Sequence, residues 1–168
     1  MSFKKTNRTI HKWASIVIAI PLLIIFVTGI LLLVKKEFHV LQPPTMKGHG
    51  QVPTIIFNQI LTIAKTIKNA EIKSWQDIDR LDVRPSKGII KVRTKNNLEI
   101  QLDASSGKVL YVAQRNSDLI ESIHDGTFLE KNANLWLMLP VAIASIVILI
   151  TGVILFFIPY LKKNRPRA

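Results

Sequence analysis

Four histidines are the residues of this chain best suited to chemistry: His11, His39, His49 and His124. A neutral imidazole is a common metal ligand and a good axial ligand for haem iron. His49 stands between two glycines and is interpreted as a loop residue. For each of the other three, the alternative is a polar side chain that water or the backbone satisfies.

Other catalytic patterns are absent from the sequence. It contains no Ser-His-Asp arrangement, no His-Glu-x-x-His and no glycine-rich phosphate loop. It also lacks cysteine, which excludes disulfides, thiolate metal sites, thiol nucleophiles and covalent c-type haem attachment. We therefore predict no catalytic residue, and no metal site other than a haem iron.

Two uncharged apolar runs, residues 13–34 and 135–161, bracket the chain. About 20 apolar residues in a helix cross the hydrocarbon core of a bilayer, so both runs are long enough. Each run contains a Thr-Gly pair, Thr28-Gly29 in the first and Thr151-Gly152 in the second. The pattern predicts two transmembrane helices.

The basic residues lie mainly outside these runs. The formal net charge is +12, and the terminal segments 1–12 and 162–168 carry basic residues but no acidic ones. By the positive-inside rule, both segments are predicted to be cytoplasmic tails, and the long loop lies on the opposite side. This placement explains the basicity without nucleic-acid binding, which we do not expect.

The region between the runs predicts a small α+β domain. Residues 35–52 form a linker, 53–115 the domain, and 116–134 a short helix with a lead-in to the second span. Asn58 is predicted to cap a helix that runs to about Lys68, and the helical period then gives way to an alternating period in four short strands. The pattern predicts a helix on a four-stranded antiparallel sheet with one solvent-exposed face. The polar positions assigned to that face are Lys91, Arg93, Glu99, Gln101 and Asp103.

The spacing of the histidines limits how they can share a cofactor. His11 and His39 are 28 residues apart, roughly 42 Å along a helix, and cannot hold one haem together. His39 and His124 lie on the same predicted side and can, whereas His11 needs a partner from another chain. Since two helices do not enclose a macrocycle, a haem here implies a dimer or a larger bundle.

Three segments of this chain resemble the PepSY-associated transmembrane family. The first is Arg8-Thr-Ile-His11-Lys-Trp13, followed by an apolar run with a Thr-Gly pair. The second is the α+β domain, whose sheet ends in Asp103-Ala-Ser-Ser-Gly107-Lys-Val109-Leu110 as a PepSY domain does. The third is Ser122-Ile-His124-Asp125-Gly126-Thr127, which leads to the second Thr-Gly run.

The resemblance implies a bacterial inner-membrane protein with a periplasmic PepSY-like domain. Larger relatives, with more spans, are implicated in reducing iron–siderophore complexes through b-type haems held by helix histidines. This implies a subunit or homodimer in transmembrane electron transfer, with haem b, iron-chelate reduction or iron uptake, and a ferric chelate as a possible acceptor. His11 and His124 match motif positions for axial ligands, and His39 is a third candidate outside the motifs.

PepSY modules elsewhere are proposed to bind and restrain peptidases. The alternative function is therefore a non-catalytic, membrane-anchored accessory module that contacts a periplasmic protein. In either case we expect contact with membrane lipid, and an enzyme role at most as a component of a membrane oxidoreductase.

Overall fold

The computed structural model describes residues 3–50 and 52–163, with side chains as far as residue 160. Most of the predicted basic tail, 162–168, therefore lies outside the described residues. The chain divides into two compact units. We call Met1–Leu31 with Glu121–Ala168 the helical unit, and Leu32–Ile120 the sheet unit.

The helices and strands follow the order that the hydrophobic periods predict. In chain order they are α1 (Phe3–Leu33), α2 (Phe57–Lys65), β1 (Ile78–Arg84), β2 (Ile89–Thr94), β3 (Leu98–Asp103), β4 (Val109–Gln114), α3 (Asn116–Asp125) and α4 (Leu139–Lys163). A π-helical turn, Asn134–Met138, leads into α4. This order confirms the predicted fold class, two apolar helices that flank an inserted α+β domain in the sequence.

Within the described residues, two helical segments, Phe3–Leu33 and Asn134–Tyr160, are long and apolar enough to cross a membrane. By length and composition, both segments are suited to span a membrane. Helix α1 begins at Phe3, ahead of the apolar run, and continues through Pro21. A proline is tolerated in a membrane helix because neighbouring groups satisfy the carbonyl that it leaves free.

The sheet is a meander in which neighbouring strands pair antiparallel in the order β1-β2-β3-β4. The turn between β1 and β2 ends at Gly88, whose φ of 64° lies in the left-handed region that favours glycine. The amphipathic helix α2 lies on one face of the sheet, where Ile60 and Ala64 join a buried cluster with Val92 and Ile100. This is the core that the alternating pattern predicts.

The prediction that the other face of the sheet is exposed to solvent is wrong. The side chains of Lys91, Glu99 and Gln101 are fully buried, Asp103 is 1% exposed, and Arg93 is 12% exposed. Alternation shows that two faces differ in polarity, but it does not show what covers each of them. The charges are tolerated because they pair with one another.

A segment of the predicted linker binds this polar face. We call residues 44–50 the strap. The Gln101 side chain donates to the carbonyl of Pro44 at 2.7 Å and accepts from the backbone N–H of Met46 at 2.8 Å. The carboxylate of Asp103 accepts from the backbone N–H of His49 at 2.7 Å. The strap is therefore held by hydrogen bonds between its backbone groups and side chains of the sheet, as a bound peptide would be.

Glu99 is the centre of the buried charges. Its carboxylate accepts hydrogen bonds from Lys91 at 2.8 Å, from Arg115 at 2.6 Å and from Gln101 at 2.8 Å. Arg115 also forms an ion pair with Asp118 at 3.0 Å. Burial lowers the pKa of the Lys91 ammonium, and the bond to Glu99 opposes that shift.

Candidate functional site

His124, near the end of α3, contacts the Thr-Gly pair of α1. Its Nδ1 lies 2.9 Å from the hydroxyl oxygen of Thr28, which is 8% exposed. The ring lies close beside Gly29, where a Cβ atom would be 3.4 Å from Cε1 of His124, an ordinary van der Waals distance. The Thr-Gly pair thus provides both a polar partner and a close approach for one imidazole.

His11, in the first turns of α1, makes the same contact with the Thr-Gly pair of α4. Its Nδ1 lies 2.9 Å from the hydroxyl oxygen of Thr151, which is 7% exposed. A Cβ atom on Gly152 would lie 3.2 Å from Cε1 of His11. Helix α1 thus takes part in both contacts. Its His11 contacts the Thr-Gly pair of α4, and its own Thr-Gly pair contacts His124, which precedes α4 in the sequence.

Both threonine hydroxyls also contact the backbone of their own helix. The Thr28 hydroxyl donates to the carbonyl of Ile24 at 2.6 Å, and the Thr151 hydroxyl donates to the carbonyl of Val147 at 2.7 Å. Helical threonines commonly donate to the carbonyl four residues earlier, which satisfies the hydroxyl in an apolar environment. The two sites therefore share one geometry.

Asn7 distinguishes the His11 site from the His124 site. It lies one helical turn before His11, is 6% exposed, and donates from its side-chain amide to the carbonyl of Thr151 at 3.1 Å. The His11 end thus has two interhelical contacts to one residue of α4. Hydrogen bonds between membrane helices average about 0.6 kcal/mol each. Because the His11 site has two such contacts and the His124 site has one, the polar interaction is stronger at the His11 site.

The two histidine sites are separate. Thr28, the partner of His124, follows His11 by 17 residues on α1, which is about 26 Å along the helix axis. Within the described ranges, no group of three or more His, Asp or Glu residues is placed to hold a metal ion. Nε2 of His11 and Nε2 of His124 have no hydrogen-bond partner among the described residues.

The surroundings of the His124 site are apolar. A cavity of about 300 Å³ lies between α1 and the segment that links α3 to α4. Ile123, the residue before His124, lines it. Its other apolar lining residues include Ile20, Pro21, Ile24, Phe128 and Met138. This space suits hydrocarbon rather than a polar substrate.

The remaining histidines lie in the sheet unit. His39 is exposed in the segment after α1, and it has no hydrogen bond to another described residue. Its role as an axial ligand stays a prediction. His49 lies on the strap with its side chain 89% exposed, and its Nδ1 is 3.4 Å from the buried carboxylate of Asp103.

The sequence identified both histidines and both Thr-Gly pairs, but not that they contact each other. The repeat of Thr-Gly in two apolar runs, each with a motif histidine ahead of it, was the available signal. Pairing them needs the register between two helices that are far apart in the chain, and no local pattern specifies that register. Asn7 carried no signal at all, because a lone asparagine in a basic segment is unremarkable.

Comparison with protein-family models identifies a family for this chain. No curated protein and no solved structure matches this chain. The family model described as the PepSY-associated TM region matches residues 8–167. That range includes His11, His124, both Thr-Gly pairs and the whole sheet unit. The chain therefore belongs to the PepSY-associated TM family.

Proposed function

We propose that this protein binds haem b through His11 and His124 and takes part in electron transfer across the bacterial inner membrane, toward an outer acceptor such as a ferric chelate. The observation that carries the proposal is the repeated site. A histidine at each end of the helix pair is fixed by a Thr-Gly pair of the opposite span. Two such imidazoles about 26 Å apart suit a route across a bilayer whose hydrocarbon core is about 30 Å thick.

The donor set fits haem better than a bare metal ion. A metal ion bound by protein alone needs several ligands, and no such cluster lies within the described residues. Haem needs only axial ligands, because the porphyrin supplies the other nitrogens. Each site offers one half-buried imidazole with its Nδ1 hydrogen-bonded, as metal-bound histidines commonly have.

The partner that this proposal requires is another copy of the chain or another membrane subunit. Each site contributes a single imidazole from one chain, and the two sites are too far apart to share one macrocycle. Coordination by two histidines therefore takes the second ligand from a neighbouring chain. A homodimer with one haem near each end of its helices is the simplest such assembly.

When bound, haem supplies reversible one-electron oxidation and reduction at iron. The chain's own residues hold the imidazoles, each half-buried beside a threonine of an apolar helix. We expect no proton path through a single protomer, since the apolar part of each span contains no Asp, Glu, His, Lys or Arg. The function is thus electron transfer rather than transport of the iron itself.

The proposed orientation has both termini in the cytoplasm and the sheet unit in the periplasm. The basic segments at the two ends of the chain support it. A reporter fused at the C-terminus tests it, with activity expected only from a reporter that works in the cytoplasm. Activity from a periplasmic reporter at that position contradicts the orientation.

The haem proposal is tested by the absorption spectrum of the protein purified in detergent after haem-replete expression. We expect a Soret band in the oxidised protein and sharpened α and β bands after reduction with dithionite. A protein without a Soret band contradicts the proposal. That outcome favours a membrane-anchored accessory module whose sheet unit contacts a periplasmic protein.

A further inference from the structure

We propose that Thr28 and Thr151 are positioning residues that fix the tautomer of His124 and His11, so that each imidazole presents Nε2 as its free ligand atom. The inference rests on the proposed function for what that atom binds. The tautomer itself follows from the hydrogen-bond geometry of the chain.

The proton of each hydroxyl has a defined place. The Thr28 hydroxyl oxygen lies 2.6 Å from the carbonyl oxygen of Ile24, and the Thr151 hydroxyl oxygen lies 2.7 Å from that of Val147. Two oxygens approach this closely only with a proton between them. A carbonyl oxygen has no proton, so the threonine must be the donor.

The hydroxyl then has only lone pairs to offer the histidine. A hydroxyl carries one proton and two acceptor positions. Nδ1 of His124 lies 2.9 Å from the Thr28 oxygen, and Nδ1 of His11 lies the same distance from the Thr151 oxygen. Each Nδ1 must therefore carry the proton. In a neutral imidazole, the other nitrogen, Nε2, then holds the free lone pair.

The glycine after each threonine lies close to the histidine ring. An alanine Cβ would lie 3.4 Å from the His124 ring at position 29 and 3.2 Å from the His11 ring at position 152. The ring thus lies directly on the helix surface beside the hydroxyl. A donor bond from Nδ1–H also raises the basicity of Nε2, and such partners typically contribute 10–100-fold to metal affinity.

The test is the tautomer of each histidine in haem-free protein. Long-range ¹H–¹⁵N correlation on ¹⁵N-histidine-labelled protein in micelles, near pH 8 where imidazoles are neutral, distinguishes Nδ1–H from Nε2–H. We expect Nδ1–H for both His11 and His124 in the natural sequence. The Nε2–H form in either residue overturns the inference for that site, and this measurement needs no variant.

Variants then assign the effect to the hydroxyls. Thr28→Val is expected to release His124 from the Nδ1–H form while His11 keeps it, and Thr28→Ser is expected to retain it. Matched controls are Thr9→Val and Ser145→Ala, which remove a hydroxyl bonded four residues back on α1 and α4 without a histidine contact. An unchanged His124 tautomer in Thr28→Val overturns the assignment.

A haem titration separates this inference from the proposed function. Ferric haem b added to haem-free Thr28→Val is expected to bind about 10–100-fold more weakly at the His124 site than in the natural protein, with binding at the His11 site unchanged. Nδ1–H tautomers in a protein that takes up no haem contradict the proposed function and uphold the threonine assignment. Nε2–H tautomers in a protein that binds haem contradict the threonine assignment and uphold haem binding.

Discussion

Nδ1 of His11 lies 2.9 Å from the hydroxyl of Thr151, although the two residues are 140 positions apart in the chain. The contact joins the start of the first span to the Thr-Gly pair of the second. Its counterpart between His124 and Thr28 joins α3 to the first span, and the Asn7 amide adds a second contact between the two spans at Thr151. The two spans are therefore a specific pair rather than independent anchors.

Glu99 is expected to be the most sensitive position of the sheet unit. Glu99→Ala leaves the ammonium of Lys91 and the guanidinium of Arg115 without their shared carboxylate. Removing one partner of a buried ion pair typically costs 3–5 kcal/mol. Hydrogen exchange of peptides from β2 and β3 in the full-length protein measures this local stability.

The matched variant for that position removes both partners. Lys91→Met combined with Glu99→Leu replaces a buried charge pair with apolar groups, and Arg115 keeps its bond to Asp118. We expect the double variant to be less destabilised than Glu99→Ala. If Glu99→Ala protects β2 and β3 from hydrogen exchange about as well as the natural protein does, the role assigned to Glu99 is contradicted.

The Asp103 carboxylate is expected to make the sheet unit sensitive to acid. The backbone N–H groups of His49 and Ser106 and the Ser105 hydroxyl hold the pKa of this carboxyl well below its usual range. The stability it contributes is fully present above the unfolded-state pKa of about 3.9 and falls as the pH drops below it. Unfolding followed against pH tests this, and the slope below pH 3.9 is expected to be smaller in Asp103→Asn.

The control for this prediction is Asp79→Asn. The side chain of Asp79 is 61% exposed, and its nearest cation, Arg80, is 4.0 Å away. We expect this variant to keep the acid sensitivity of the natural protein. An equal loss of the slope in both variants contradicts the assignment to Asp103.

Gln101 is expected to protect the strap from proteolysis. Gln101→Ala removes the bonds to the carbonyl of Pro44 and the N–H of Met46. Exposed Lys47 lies next to that point, so trypsin should cut after it faster in the variant. Gln114→Ala is the control, since Gln114 bonds the carbonyl of Asn96 instead. Equal cleavage rates in the two variants contradict a strap held by Gln101.

The two glycines beside the histidines are expected to differ in their tolerance of alanine. A Cβ at position 29 meets the His124 ring at an ordinary contact distance of 3.4 Å, whereas one at position 152 meets the His11 ring at 3.2 Å. Alanine favours a helix by about 1 kcal/mol over glycine, so Gly29→Ala should raise or preserve the thermal midpoint. Gly152→Ala should displace the His11 ring, visible as a shift of its ¹⁵N resonances. A ¹⁵N shift of His124 in Gly29→Ala that exceeds the shift of His11 in Gly152→Ala contradicts the expected difference in tolerance.

Much of the fold follows from local patterns. Apolar runs of membrane length predicted both spans, and alternation with intervening turn residues predicted the four strands. Asn58 was predicted to cap α2, but the cap is Ile56, two residues earlier, where the side chain of Gln59 accepts from the N–H of Ile56. The helix also ends earlier than its apolar period, at Lys65.

The polar face of the sheet could not be predicted from the same patterns. Lys91, Glu99 and Gln101 occupy positions that are usually exposed, and only the strap and Arg115 make their burial favourable. Those partners lie 16 or more residues away from Glu99 in sequence, on either side of it. Likewise, the sequence identified His11 and His124, but their threonine partners depend on how two distant helices pack.

The measurement that tests the central proposal most directly is the haem content per chain of His11→Ala, His124→Ala and the double variant, each purified after haem-replete expression. Because the two sites are about 26 Å apart, each single variant should lose about half of the bound haem and the double variant nearly all of it. His49→Ala, on the exposed strap, is the control and should keep the full content. Haem content unchanged in both single variants, or absent from the natural protein, contradicts the proposal.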